Sequence, residues 1–184
     1  MRGLDQQDQL VHDGEEPPLP YQAFTDDVRG VYTDYARAFL LTDQRARWVV
    51  SQAFDILWVC WDTATASENL HRYAWRLLRS CVMARAPRHQ DGRPDLRAAV
   101  FSTHGVRDPD VPGHLVVLTE LIELLDAITQ LPEDQMDVAV LQHLCGASPH
   151  VIARILGLAP ALTRAVDHHA RAALEAILTT PTPE

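Results

Sequence analysis

SPHVIARILGLAPALTRAVDHHARAAL, residues 148–174, is patterned as two helices with a turn between them. Ser148 is placed to cap a short helix opened by Pro149 and closed by Gly157, and Pro160 then opens a second. Ile152, Ala153, Ile155, Leu156, Leu158 and Leu162 are expected to fill the angle between them. This spacing predicts a helix-turn-helix, the arrangement in which the second helix enters a DNA major groove. The same pattern also fits a plain helical hairpin inside a bundle.

Working outward, helical periodicity returns wherever the chain is apolar. Val117, Leu121, Leu124, Leu125 and Ile128 form one face, and Leu131-Pro132-Glu133-Asp134 breaks that helix and starts the next, which reaches Leu144 before Gly146. The final helix is expected to run from Pro160 to about Leu178. In the first half, Phe24, Val28, Val31, Tyr35, Phe39 and Leu40 recur at spacings of three and four, as do Val49, Val50, Ala53, Phe54, Leu57 and Trp58. Thr42-Asp43 reads as a break and a cap. Ser67 followed by Glu68 reads as the start of a long helix over 69–86 that carries an arginine stripe. No stretch alternates as a strand.

The chain is therefore expected to be all-α, with two small helical domains joined by a flexible linker. The boundaries are a disordered acidic leader over 1–20, a first domain over 21–90, a linker over 91–114, a second domain over 115–178 and a frayed tail over 179–184.

Composition narrows the function. The 184 residues are 47% hydrophobic, enough for packed cores, while no apolar run approaches the roughly 20 residues of a membrane span. Residues 1–20 lack an apolar signal core, so a soluble cytoplasmic protein without membrane insertion is expected. Cys60, Cys81 and Cys145 are odd in number and widely spaced, which predicts no disulfide framework. Neither His143 with Cys145 nor His168 with His169 has a second half of a ligand set, so no metal and no cofactor is expected. All sixteen basic residues are arginine, and the net charge is −9. That charge is uneven: residues 21–90 carry nine Arg against seven acids, residues 115–184 only three against nine. Only the first half matches a polyanion electrostatically.

Several coincident motifs now add a resemblance. Leu131-Pro132, Gly146-Ala147-Ser148, Ile152-Ala153, Leu156-Gly157 and Ala170 to Leu174 stand at the spacing of region 4 of bacterial sigma factors of the extracytoplasmic-function group, which residues 131–178 resemble. Residues 21–90 are similar to region 2 of that family, through Tyr32, Tyr35, Phe54, Leu57, Trp58 and Ala74-Trp75. The resemblance implies an alternative sigma factor that binds core RNA polymerase and directs promoter recognition, region 2 opening the −10 element and region 4 reading the −35 element. It also implies an anti-sigma factor as a further partner, and no small-molecule substrate. By position, Trp48, Gln52, Phe54, Leu57 and Trp58 are the expected polymerase contacts.

The residues agree with that role in part. Arg72, Arg76 and Arg79 fall on one helix face, with Arg85 and Arg88 beyond, and such a row can neutralise successive phosphates; it can equally be a solvated face. Tyr73 and Trp75 could stack on unpaired bases, although Trp75 faces away from the stripe and fits a core better. In the recognition helix, Thr163, Arg164, His168 and Arg171 are the expected DNA contacts. Departures from the family are clear. Arg47 and Trp48 stand where acids are usual, the recognition helix is poor in cations, and Asp167 lies among its readers. These departures motivate an alternative: a divergent sigma-like protein that no longer initiates transcription and regulates an anti-sigma factor or another sigma factor. No nucleophile, base and orienting acid coincide and no phosphate-cradling loop appears, so an enzyme is not expected.

Overall fold

Local chemistry sets most helix ends. The computed structural model describes residues 17–96 and 114–179, and every regular element among them is a helix. Helix α1 (Leu19–Phe39) buries Tyr21, Phe24, Val28, Tyr32, Tyr35 and Phe39 along one side. Helix α2 (Asp43–Val59) begins where the Thr42 hydroxyl accepts the Arg45 amide, as expected for a cap, and α3 (Trp61–Thr65) is a single short turn. Helix α4 (Leu70–Met83) is capped by Asn69, whose Oδ1 accepts the Arg72 amide at 3.0 Å. The cap expected at Ser67 therefore lies two residues further on. The Ser67 hydroxyl is already engaged, donating to the Ala64 carbonyl at 2.6 Å to close α3.

Residues 91–96, expected to open the linker, are built into the fold. The Asp95 amide donates to the Pro87 carbonyl at 2.8 Å and the His89 amide to the Arg93 carbonyl at 2.9 Å, closing a tight turn. Arg93 reaches Thr129 Oγ1 at 3.1 Å, and Leu96 is fully buried. A proline- and glycine-rich segment stays folded here because one leucine and one arginine anchor it. Residues 1–16, 97–113 and 180–184 lie outside the described residues, whereas Leu19 and Pro20 of the expected leader, His114 of the expected linker and Thr179 of the expected tail already belong to helices.

The second half comprises α5 (His114–Thr129), α6 (Glu133–Ala139), α7 (Pro149–Leu156) and α8 (Pro160–Thr179). Helix α6 widens into a π turn over Val140–Leu144, where the Cys145 amide bonds the Val140 carbonyl five residues back at 3.0 Å. Ser148 caps α7, and Gly157 ends it in a left-handed conformation, φ 62°. Helix α8 packs on α5, α6 and α7.

The two halves do not stand apart. The π turn lies on α1, α7 lies on α4, and one continuous cluster of buried residues runs through both halves. Gly157 sits at this seam. A Cβ built there would approach Asn69 Oδ1 to 2.7 Å and Arg72 Cβ to 2.8 Å. Gly157→Ala would thus meet two penalties, a left-handed conformation worth about 1–2 kcal/mol and a clash with the α4 cap. We expect a fall in the urea midpoint corresponding to at least that amount; an unchanged midpoint would show that the turn does not rest on Asn69 in solution.

Candidate functional site

The arginine stripe of α4 is the strongest cationic feature, and its five expected members have three different fates. Arg72 and Arg76 are exposed and carry no side-chain hydrogen bond or ion pair among the described residues. With Asn69, Tyr73, Ser80 and Gly157 they line an open groove of about 660 Å³ along α4. Arg85 and Arg88 are braces. Arg85 donates to Gln52 Oε1 at 2.6 Å and lies over the Trp48 ring at 5.0 Å, while Arg88 donates to the carbonyls of Met83 and Gly92.

Arg79 is largely buried, and this corrects its expected place among the exposed readers. Its Nε donates to both oxygens of Asp137, at 3.0 and 3.1 Å, and its Nη1 lies 3.1 Å from Glu133 Oε1. Asp137 is only 3% exposed. It also accepts the Tyr35 hydroxyl at 2.7 Å and the Trp75 indole N–H at 3.0 Å. Burial pushes the Asp137 carboxyl above the usual carboxylate range, against the pull of Arg79, Tyr35 and Trp75. The Tyr35 phenol is held well above its ordinary value by its own burial and then by the neighbouring carboxylate. Trp75 is buried against Tyr35 at 4.6 Å between ring centroids, so it is core, as its side of the helix suggested.

The expected polymerase contacts on α2 also divide. Trp48 is 50% exposed and Gln52 and Trp58 are half-buried, the latter edge-on to Tyr21. Phe54, 4% exposed, and Leu57, fully buried, are core residues and form no outward surface. Positions 46, 49, 50, 53, 54 and 57 constitute the buried face of α2, which leaves Trp48 on the opposite side. Arg47 pairs with Asp43 one turn earlier.

On α8 the picture is similar. Thr163 is 2% exposed and its hydroxyl donates to the Ala159 carbonyl, so it closes the first turn and reads nothing outside. Leu162, expected in the angle between helices, is 50% exposed. The inward row is Thr163, Val166, Ala170 and Leu174, and Leu162 lies one residue, or about 100°, away from it. Arg171 donates to Asp167 Oδ2 at 3.0 Å. Arg164 and His168 are exposed and remain available as readers.

Three groups at the seam escaped the sequence reading: Asp137, Glu133 and the Asp27–Arg154 ion pair that joins α1 to α7. The signal for the first was present, an acid inside the otherwise apolar run Met136-Asp137-Val138-Ala139-Val140-Leu141. Beside the Asp27–Arg154 pair, His71 packs edge-on to Phe24 at 5.2 Å with its Nε2 buried and without a hydrogen bond. Burial, reinforced by Arg154, holds its imidazole below the ordinary histidine value. Burial also raises the Cys81 thiol and pushes Cys145 up to about 12, so both behave as core thiols. Among the described residues, no group of three His, Cys, Asp or Glu could hold a metal, and no helix is long and apolar enough to cross a membrane.

No family model and no curated protein matches the chain. Among solved structures it is similar to CnrH in complex with the cytosolic domain of CnrY, with 17% identity over 88% of this chain and 89% of that one and a TM-score of 0.46. It is also similar to the sigma factor RpoE in complex with the anti-sigma factor NepR from Bartonella quintana, with 18% identity over 88% of this chain and 99% of that one and a TM-score of 0.42.

Two outcomes follow from these placements. Arg79→Met leaves a buried carboxylate without its cation and should destabilise the fold by about 3 kcal/mol, whereas Arg76→Ala should change stability by no more than about 0.5 kcal/mol. Urea unfolding compares them, and equal effects would mean that Arg79 is a surface residue in solution. His71 has a folded pKa below its unfolded value of about 6.5. The unfolded chain thus takes up its proton first, and the His71 contribution is lost as pH falls through that value. Wild type should lose stability relative to His71→Phe from pH 7.5 to 5; a pH-independent difference would contradict the burial of the imidazole.

Proposed function

We propose that this chain is an alternative sigma factor of the extracytoplasmic-function kind, which binds core RNA polymerase and directs it to promoter DNA. The observation that carries the reading is the pair α7–α8. Its cap Ser148 and its left-handed Gly157 are residues of the region 4 resemblance, Pro160 starts its second helix, and the outward side of that helix bears Arg164 and His168. In this reading Arg164 and His168 contact the −35 element, and Arg72 and Arg76, beside Tyr73, contact the −10 element. Trp48, Gln52 and Trp58 supply the exposed part of the polymerase face, with Arg85 braced behind Trp48. An anti-sigma factor is the further partner that the resemblance suggests.

A contact set of three arginines and one histidine fits a protein whose promoter affinity is shared with the polymerase, because each phosphate contact adds to one holoenzyme total. The second reading, a sigma-like regulator that does not initiate, is favoured by a specific observation. Arg79 and Arg171 are each paired with an aspartate of their own chain, and the second half carries excess acid.

Gel filtration with core RNA polymerase and run-off transcription separate the two. The first reading expects co-elution that Trp48→Asp abolishes without loss of helicity, together with promoter-specific transcripts. Arg76→Ala should then weaken −10 use, and Arg164→Glu should lower −35-dependent initiation about tenfold or more, in keeping with roughly 1–3 kcal/mol for a base-edge contact. Absence of core binding would overturn it in favour of the regulator.

A further inference from the structure

Glu133 and Asp137 stand one turn apart on α6 and converge on one guanidinium, that of Arg79. The Asp137 carboxylate receives a guanidinium, a phenol and an indole N–H, the kind of donor set that would hold a phosphate oxygen beside an aromatic platform. These donors come from α1 and α4 of the half that is rich in arginine, and the acids come from the half that carries three Arg against nine acids. Arg79 is thereby removed from the row that begins with the unpaired Arg72 and Arg76.

Resting on the reading of α4 as a nucleic-acid surface, we propose that Glu133 and Asp137 are an intramolecular substitute for nucleic-acid phosphate. They hold the second half closed on α4 until single-stranded DNA takes their place on Arg79. Other polar links join the halves at the edges of the seam. Asp27–Arg154 is a partly exposed ion pair, Asn69 Nδ2 to the Gly157 carbonyl is 3.5 Å, and the turn after α4 reaches α5 through Arg93, 3.1 Å from Thr129 Oγ1 and 3.5 Å from Asp126. The Asp137 cluster is itself close to balance, because desolvating a carboxylate and a guanidinium offsets most of their attraction. Opening rehydrates both groups, so a polyanion that pairs with Arg79 can compete. Apolar contacts alone would offer DNA nothing to exchange for.

The test uses the full chain and a fluorescein-labelled single strand of about 12 nucleotides. Glu133→Gln with Asp137→Asn removes the two charges with little change of shape; Glu123→Gln with Glu175→Gln removes two exposed charges from the same half as a control. The first variant should show a larger radius of gyration in small-angle scattering and about tenfold tighter binding by anisotropy, the change expected when the open state rises from about a tenth of the population to most of it. The control should show neither, and adding Arg79→Ala to the first variant should erase the gain. Tight binding that is equal in wild type and variant would overturn the latch while leaving α4 as a DNA surface. Expansion without a gain in binding would overturn the proposal together with the α4 reading. Should the variant not fold, titrating wild type with the strand decides: expansion at saturation supports the proposal, and constant dimensions overturn it.

Discussion

A single carboxylate, taken out of water between the two halves of the chain, is the constraint on which the arrangement depends. Asp137 is buried and accepts from Tyr35, Trp75 and Arg79, which belong to two helices of the first half. Each donor is itself held. Tyr35 packs on Phe39 and Trp75, and Arg79 is shared with Glu133. A buried charge satisfied in this way adds little net stability compared with an apolar contact of equal volume. What it supplies is direction, because any slide of α6 over α1 and α4 strands a charge without its partners.

The same cluster changes how the surface charge is distributed. A stripe of arginines suggests a uniform row of phosphate ligands, yet along and beyond α4 the chain uses its cations for different ends. Arg79 closes the seam, Arg85 supports Trp48, Arg88 pins the turn that follows, and Arg72 and Arg76 face solvent without a partner among the described residues. On α8 the pairing of Arg171 with Asp167 leaves Arg164 as the single unpaired arginine of that helix among the described residues. Which cations of this chain stay free is thus decided by their neighbours, and for Arg79 the neighbour is supplied by the other half.

Much of the architecture was readable beforehand. The caps at Thr42 and Ser148, the stop at Gly157 and the start at Pro160 all stand where the residues indicated, because capping involves groups within a few positions of one another. Ser67 had a local partner already, so the cap passed to Asn69. Position within the family pattern points Phe54 and Leu57 outward, although their spacing with Val49, Val50 and Ala53 marks an inner face. Leu162 is the opposite case: an apolar residue beside a turn suggests core, yet it stands one position out of register with the inward row and is exposed.

By itself, then, the sequence determined an all-helical chain, the ends of most helices, the helix-turn-helix over 148–174 and the contrast in charge between the halves. Each of these follows from interactions over a few residues or from composition alone. Tertiary structure decided which arginines are free, the widening of α6 into a π turn against α1, and the partnership of Asp137 with Tyr35 and Arg79 across 102 and 58 positions of chain. Those pairings have no local signature beyond one acid in an apolar run. A buried carboxylate can be accepted at that point only when other helices deliver its donors, and which helices do so is a property of the packed chain.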